Sequence, residues 1–177
     1  AEAGKGIRTK YSDDLLWLPY VTSDYIENTG DTAILDEVVG YLESPLLGKH
    51  EDERYEVPTK SEQEGTVYDH CIRALEKGLN FGEHGIPLMG CGDWNDGMNT
   101  VGNKGKGESV WLGWFIYSIL KKFIPICRIK GDREKILKYE KACIKIAEAL
   151  EKYAWDGGWY LRAYFDDGTP LGSSRNT

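Results

Sequence analysis

The sequence predicts a mainly α-helical fold: five or six helices joined by long loops, with one short β-hairpin near the C-terminus. Three observations predict it. Apolar residues recur at helical spacing through most of the periodic segments. The one alternating stretch, WYLRAYFDDGTPLG, comes at the end and turns at Asp167-Gly168, as a hairpin does. Of the 177 residues, 41% are hydrophobic and 12% aromatic, enough for a packed core and too rich for a disordered chain. The length suits one domain or part of a larger one.

The elements follow in order. Ser12 is placed to cap a helix, with Asp13 and Asp14 in a first turn that favours negative charge. The run Leu15 to Asn28 is expected to bury Leu18, Val21, Tyr25 and Trp17, with Pro19 near its start. Gly30 ends it, and a short helix from about Thr32 to Gly40 should follow. Residues 44–64 are polar and read as a solvated loop, or as a loop that walls a site. Ser61 and Glu64 have capping-box spacing. The helix after them carries Val67, Tyr68, Cys71, Ile72, Leu75 and Leu79 on one stripe. From Phe81 to Gly107 no period survives, and eight of the 21 glycines fall here. A helix from about Glu108 to Phe123 is apolar around most of its circumference, which predicts burial on nearly all sides. The last helix, about Asp132 to Tyr153, is amphipathic, with Ile136, Tyr139, Cys143, Ile146, Leu150 and Tyr153 on its apolar stripe.

Charge and punctuation exclude some functions. With 22 basic and 29 acidic residues the net charge is -7, which argues against a general nucleic-acid binder. No apolar run is expected to reach the ~18 residues of a membrane span; the best candidate, Val110–Ile126, is interrupted by Gly113, Lys121, Lys122 and Pro125. The N-terminal stretch lacks the apolar middle of a signal peptide. Cys71, Cys91, Cys127 and Cys143 form no CxxC pair, and His50, His70 and His84 lie at no metal-ligand spacing with them. They read as reduced thiols of a cytoplasmic protein without a metal centre. Abundant Gly (21) and Trp (6) suit sugar chemistry, since Trp faces stack on sugar C–H surfaces.

The densest polar chemistry lies in Met89–Asn99 (MGCGDWNDGMN). Glycines let its backbone approach a ligand closely. Trp94 offers a face for a sugar ring, Asn95 and Asn99 can bond hydroxyls, and a carboxyl beside a Trp suits a general acid. A structural loop closed by Asx turns and a calcium loop are the alternatives, although the full calcium-loop pattern is absent. Gly6–Trp17 sets Arg8, Asp13 and Asp14 at a helix mouth, where they could grip vicinal hydroxyls or merely form a capped, ion-paired surface. Gly105–Trp111 fails the Walker pattern and reads as a turn into a buried helix, with Glu108 able to face a ligand. No GxSxG, catalytic Cys–His or HExxH pattern occurs.

Four segments, GIRTKYSDDLLWLPY, YIENTGDTAILDE, IPLMGCGDWNDGMNTVGNKGKGESVWLGWF and AWDGGWYLRAYFDDGTPLGS, together resemble glycoside hydrolase family 94, the inverting phosphorylases of disaccharides and oligosaccharides. The likeness runs nearly the whole chain and is greatest to the family's β-1,2-glucan branch, which includes the phosphorylase-like domain of cyclic β-1,2-glucan synthases and the β-1,2-oligoglucan phosphorylases. It implies that residues 1–177 are part of an (α/α)6-barrel catalytic domain, truncated at both ends and inactive alone. The implied reaction splits a β-glucosidic bond with inorganic phosphate as co-substrate, releasing α-glucose 1-phosphate and a shortened acceptor, with no cofactor and no metal. The resemblance makes Asp96 the general acid. It places Trp94 and Asn95 in the glucosyl pocket with Arg8 and Asp14. Arg162 and Tyr164 lie in a family-like segment without an assigned role. Asp93 is expected to be an orienting or structural carboxylate, because phosphate arrives already anionic and a phosphorolysis needs no second catalytic carboxylate. The expected partners are a β-glucan oligosaccharide or glucose 1-phosphate, phosphate and the remainder of the barrel, with a homodimer allowed and no nucleic acid or membrane contact by this segment; a parent cyclic glucan synthase would itself be membrane-associated. An inverting glycosidase on the same barrel and a non-catalytic glucan-binding domain are the alternatives.

Overall fold

The computed structural model describes residues 4–176. The described chain is mainly α, as predicted, with four α-helices rather than five or six: α1 (Trp17–Thr29), α2 (Val67–Gly78), α3 (Val110–Ile129) and α4 (Arg133–Ala149), the last continued by a π turn at Leu150–Ala154.

Helix α3 is the centre of the core. It packs against α1 on one side and α4 on the other. Leu112, Ile116, Ile119, Leu120, Phe123 and Cys127 are all but inaccessible. Each such side chain contributes about 1.5–3 kcal/mol on leaving water. That burial explains why α3 runs through Pro125 to Ile129 instead of stopping at Phe123. An internal proline costs about 3 kcal/mol, and Ile124, Ile126 and Cys127, all buried, more than offset it. Gly113 allows close approach of the π turn, because a Cβ there would sit 3.0 Å from Leu150 Cδ2. Contrary to the sequence expectation, α3 has the length and apolarity of a membrane span, but 61% of that window is buried inside this fold, as in a core helix.

Helix α1 turns a different face inward from the one predicted. Pro19, Thr22, Ser23 and Ile26 are buried, whereas Trp17, Leu18, Val21 and Tyr25 are each more than 40% exposed. Two hydroxyls tolerate burial because they are bonded: Ser23 Oγ donates to Pro19 O at 2.7 Å, and Thr22 Oγ1 accepts from Cys71 Sγ at 3.5 Å. Ser12 does not cap the helix. A 3-10 turn at Asp14–Leu16 precedes α1, and the Ser12 hydroxyl is used elsewhere. Gly30 closes α1 at φ +72°, a conformation that favours glycine.

Residues 32–66 depart most from expectation. The short helix is only a 3-10 turn at Ala33–Asp36, followed by β2 (Val38–Glu43). The polar stretch 44–64 contains β3 (Glu53–Glu56) and most of β4 (Thr59–Thr66). Strand β3 pairs antiparallel with β1 (Gly6–Thr9), and β2 pairs with β4. Backbone pairing forms β3 and β4 although most of their side chains are polar, whereas β2 (VVGYLE) is largely apolar. Ser61 therefore lies inside β4, and the capping box that starts α2 is Thr66 with Asp69, each side chain bonding the other's backbone N–H. The C-terminal hairpin forms as predicted: β6 (Ala163–Tyr164) pairs with β7 (Pro170–Leu171), and β5 (Glu108–Ser109) adds a third strand.

Candidate functional site

Two distant segments meet beside the core. Ser12 N and Ser12 Oγ both donate to Gly92 O, at 2.9 and 3.0 Å, and Tyr11 bridges Gly90. Gly92 has φ +149°, and a Cβ there would lie 2.9 Å from the Tyr11 ring, so the contact requires glycine. The Tyr11 hydroxyl pKa is raised by burial and then by the negative charges of Asp96, Glu53, Asp52 and Asp14. Tyr11 thus feels the charges of Asp14 on one segment and Asp96 on the other.

Arg8 and Asp14 line a cavity of about 670 Å3 together with Thr9, Tyr11, Ser44 and Glu56. That volume falls within the range of about 300–1,000 Å3 usual for small-molecule sites. Arg8 Nη1 donates to Ser44 O at 3.1 Å and to Ser44 Oγ at 2.5 Å. Asp14 accepts from the Thr9 hydroxyl. Of the two readings of residues 44–64, the one that walls a site fits, since Ser44, Glu56 and Pro58 all face this space.

Trp94, Asn95 and Asp96 do not line that cavity. Trp94 is 55% exposed and leans on Trp111, ring centroids 6.0 Å apart. Beyond it, Trp111, Phe115, Trp17 and Tyr20 continue an aromatic surface. Asn95 Oδ1 accepts from Gly97 N at 3.1 Å and starts the 3-10 turn Asp96–Met98; its amide nitrogen has no protein partner among the described residues. Asp96 is exposed, and its carboxylate also has no protein partner among the described residues.

Four other candidates point into the fold. Asp93 is fully buried. Arg162 Nη2 donates to its two oxygens at 2.6 and 2.8 Å, and Ser109 Oγ donates at 2.6 Å. Asp93 Oδ1 in turn accepts from Asn95 N at 3.1 Å. Glu108, read as able to face a ligand, is 1% exposed and faces the 82–86 turn instead, where it accepts from His84 N and Ile86 N, both at 3.1 Å, and from the His84 ring. The reason is alternation along β5, which sends Ser109 to the Asp93 side and Glu108 to the other. Tyr164 stacks on His84 with centroids 4.1 Å apart and donates to Tyr153 O at 2.5 Å, so it belongs with Glu108.

Sequence reasoning missed Tyr11, His84 and Ser109. Only Ser109 had a local signal, a serine directly before a helical apolar run, and it does cap α3 by accepting from Leu112 N at 3.0 Å. Asp13 proves unusual. It is 3% exposed, Oδ2 accepts from Trp17 Nε1 at 3.0 Å, and Oδ1 has no partner among the described residues. Among the described residues no three His, Cys, Asp or Glu side chains gather as metal ligands, and all four cysteines are free and buried.

The family described as "Glycosyl hydrolase 94 superfamily, catalytic domain" matches residues 1–177. The chain is 42% identical over 172 residues to the cyclic beta-(1,2)-glucan synthase NdvB of Rhizobium meliloti, covering 97% of this chain and 6% of that protein. It is 34% identical over 165 residues to the solabiose phosphorylase of Paenibacillus borealis, covering 92% of this chain and 19% of the relative. To the 3-O-beta-D-glucopyranosyl-beta-D-glucuronide phosphorylase of the same organism it is 32% identical over 168 residues, 94% of this chain and 20% of the relative. The chain therefore spans a fifth or less of the length of these relatives.

Proposed function

The chain belongs to the glycosyl hydrolase 94 superfamily, within its catalytic domain, and from that membership we propose that it carries the acid and glucosyl-binding part of an inverting phosphorylase acting on β-1,2-glucan. The observation that carries the reading is the junction at Tyr11 and Ser12, which sets the Arg8–Asp14 segment against the Trp94–Asp96 loop. The β-1,2 linkage is supported by the name of the relative at 42% identity. The remaining walls of the site and the grip on phosphate are assigned to the rest of the parent protein, as an (α/α)6 barrel would supply them.

In this reading Arg8 and Asp14 bond the hydroxyls of the terminal glucose, the guanidinium donating and the carboxylate accepting. Trp94 covers the ring's C–H face, and the free amide of Asn95 donates to a hydroxyl. Asp96 gives its proton to the glycosidic oxygen as oxocarbenium character develops. Phosphate attacks the anomeric carbon from the opposite face, the C–O bond to the acceptor breaks, and α-glucose 1-phosphate leaves with a chain one glucose shorter. Asp93 is withheld from the chemistry by Arg162 and Ser109, which leaves a single free carboxylate on this loop, suited to an anionic nucleophile.

The test uses the full-length protein that contains this chain, incubated with a β-1,2-oligoglucan with and without phosphate. Glucose 1-phosphate should form only with phosphate; equal sugar release without it would establish a hydrolase instead. Asp96→Asn should lower the rate by about 10²–10⁴ while glucan binding is kept. An unchanged rate leaves a non-catalytic binding domain as the reading.

A further inference from the structure

We infer that Arg162 is a positioning residue for the acid, acting on Asp96 through Asp93; the inference rests on the reading of Asp96 as general acid. The Asp96 carboxylate has no protein partner among the described residues, so its direction is set by the backbone that carries it. That backbone is held by three bonds: Asn95 N to Asp93 Oδ1, Gly97 N to Asn95 Oδ1, and Met98 N to Asn95 O. The last two are internal to the turn. The Met98 end of the turn is tied separately, by Val101 N donating to Met98 O at 3.2 Å and by packing of Met98 on Met89, Val101 and Ala163; at the Asn95 end, directly before the acid, the Asp93 bond is the tie.

Asp93 is a firm anchor because Arg162 makes it one. A single nitrogen, Nη2, lies within 2.8 Å of both carboxylate oxygens, and Ser109 Oγ closes the remaining side. Arg162 is itself fixed at its backbone. Its N–H donates to Leu171 O at 2.9 Å on β7, and its carbonyl accepts from Val110 N at 3.2 Å, the first residue of α3. The rigid elements β7 and α3 thus reach the acid through one guanidinium, one buried carboxylate and one backbone N–H. Removing the guanidinium leaves Asp93 buried without its counter-charge, and the carboxylate must then turn towards water, taking Asn95 and the Asp96 turn with it. General acid catalysis needs the acid within hydrogen-bond reach of the leaving oxygen, so a small displacement costs rate rather than binding.

A mispositioned acid has a signature that general structural damage lacks. A natural glucan leaves as a sugar alkoxide and needs the proton; an aryl β-glucoside such as the 2,4-dinitrophenyl compound leaves as a stabilised phenolate and does not. In the full-length protein with phosphate, Arg162→Met should lose about 10²-fold or more in kcat on β-1,2-oligoglucan with KM little changed, in line with loss of general acid catalysis. On the dinitrophenyl glucoside its rate should stay near that of the unaltered protein. Arg162→Lys, which keeps the charge but not the planar guanidinium, should show the same pattern more weakly, and it decides the question if Arg162→Met does not fold. Equal losses on both substrates, or none on either, would overturn the inference. Asp96→Asn measured alongside separates the two layers: leaving-group dependence in Asp96→Asn but not in the Arg162 variants overturns this inference alone, and its absence in Asp96→Asn overturns the reading of Asp96 and this inference with it.

Discussion

Asp166 holds the loop on which the glycine-rich segment closes, and its removal is the sharpest stability test. Its Oδ1 accepts from Lys106 N at 2.8 Å and Gly107 N at 2.9 Å, and its Oδ2 from Lys104 N at 3.0 Å. Hydrogen bonds to a charged group contribute about 1.5–3 kcal/mol each, so three suggest about 4.5–9 kcal/mol. Solvent reduces that figure. Lys104 and Lys106 are exposed and their N–H groups can turn to water, whereas Gly107 is buried. Asp166→Ala should therefore cost about 2–3 kcal/mol, one charge-assisted bond to a buried donor plus a residue from the other two. Burial works against ionisation of Asp166, but the three N–H bonds and the charge of Lys104 outweigh it, and the carboxyl pKa is lowered. A lowered folded pKa means stability that is present above the unfolded value of about 3.9 and lost as pH falls through the folded pKa. Urea unfolding of the unaltered chain and Asp166→Ala at pH 7 and at pH 2 measures both quantities. The gap should be about 2–3 kcal/mol at neutral pH and shrink in acid. A gap under ~0.5 kcal/mol at pH 7, the usual size for a surface substitution, would refute the account, as would a gap equally large at both pH values.

Asp13 should behave in the opposite sense. Its carboxyl pKa is raised by burial against a lowering bond from Trp17, so ionisation costs stability as pH rises from the unfolded value through the folded pKa. Asp13→Asn should raise the urea midpoint at pH 7 and flatten its decline between pH 4 and 7, and a lowered midpoint would count against the unpartnered oxygen. At Gly107 an added Cβ would lie 2.4 Å from Val101 O and 2.5 Å from Gly102 Cα, both backbone. Gly107→Ala should cost at least the ~1–3 kcal/mol of overpacking and, because Gly107 O accepts from Met89 N at 2.9 Å, accelerate amide exchange at Met89. Unchanged protection of that amide would show the loop to be less tightly closed than its geometry indicates.

The fold was legible where burial alone decides. Helices α2, α3 and α4 bury most of the stripes read from the sequence, because long apolar side chains at helical spacing have nowhere else to go; Tyr153, read as the end of the last stripe, is exposed on the π turn instead. Helix α1 was misread for a specific reason. The sets Leu18, Val21, Tyr25 and Pro19, Thr22, Ile26 share the same spacing one residue apart, and hydropathy prefers the first. The second is buried because Ser23 and Thr22 satisfy their hydroxyls internally and with Cys71. Strands β3 and β4 were illegible for a related reason: their pairing is carried by backbone groups, and side chains such as those of ERYE and TKSEQEGT report nothing of it, whereas β2 (VVGYLE) did carry a strand signal that was read as the end of a short helix.

At the candidate site the sequence marked which residues matter more clearly than what each one does. A Trp, two carboxylates and three glycines in one aperiodic segment, Met89–Asn99, mark a place where the backbone is bent at some cost, and the bend is visible without a structure. Roles depend on direction, and direction here is decided by two adjacent residues. Strand β5 is only Glu108 and Ser109, and their side chains leave on opposite faces. One reaches His84 and Tyr164, the other Asp93 and Arg162. Asp93 and Asp96 lie three residues apart on the same loop, yet one is fully buried and the other exposed, because Ser109 and Arg162 approach from one side only. That asymmetry comes from residues 16 and 69 positions from Asp93 in sequence, so no spacing rule within the loop could have assigned it. The same long-range bonds that hide Asp93 leave Asp96 facing out, and the differentiation of the two carboxylates belongs to the tertiary fold rather than to the motif.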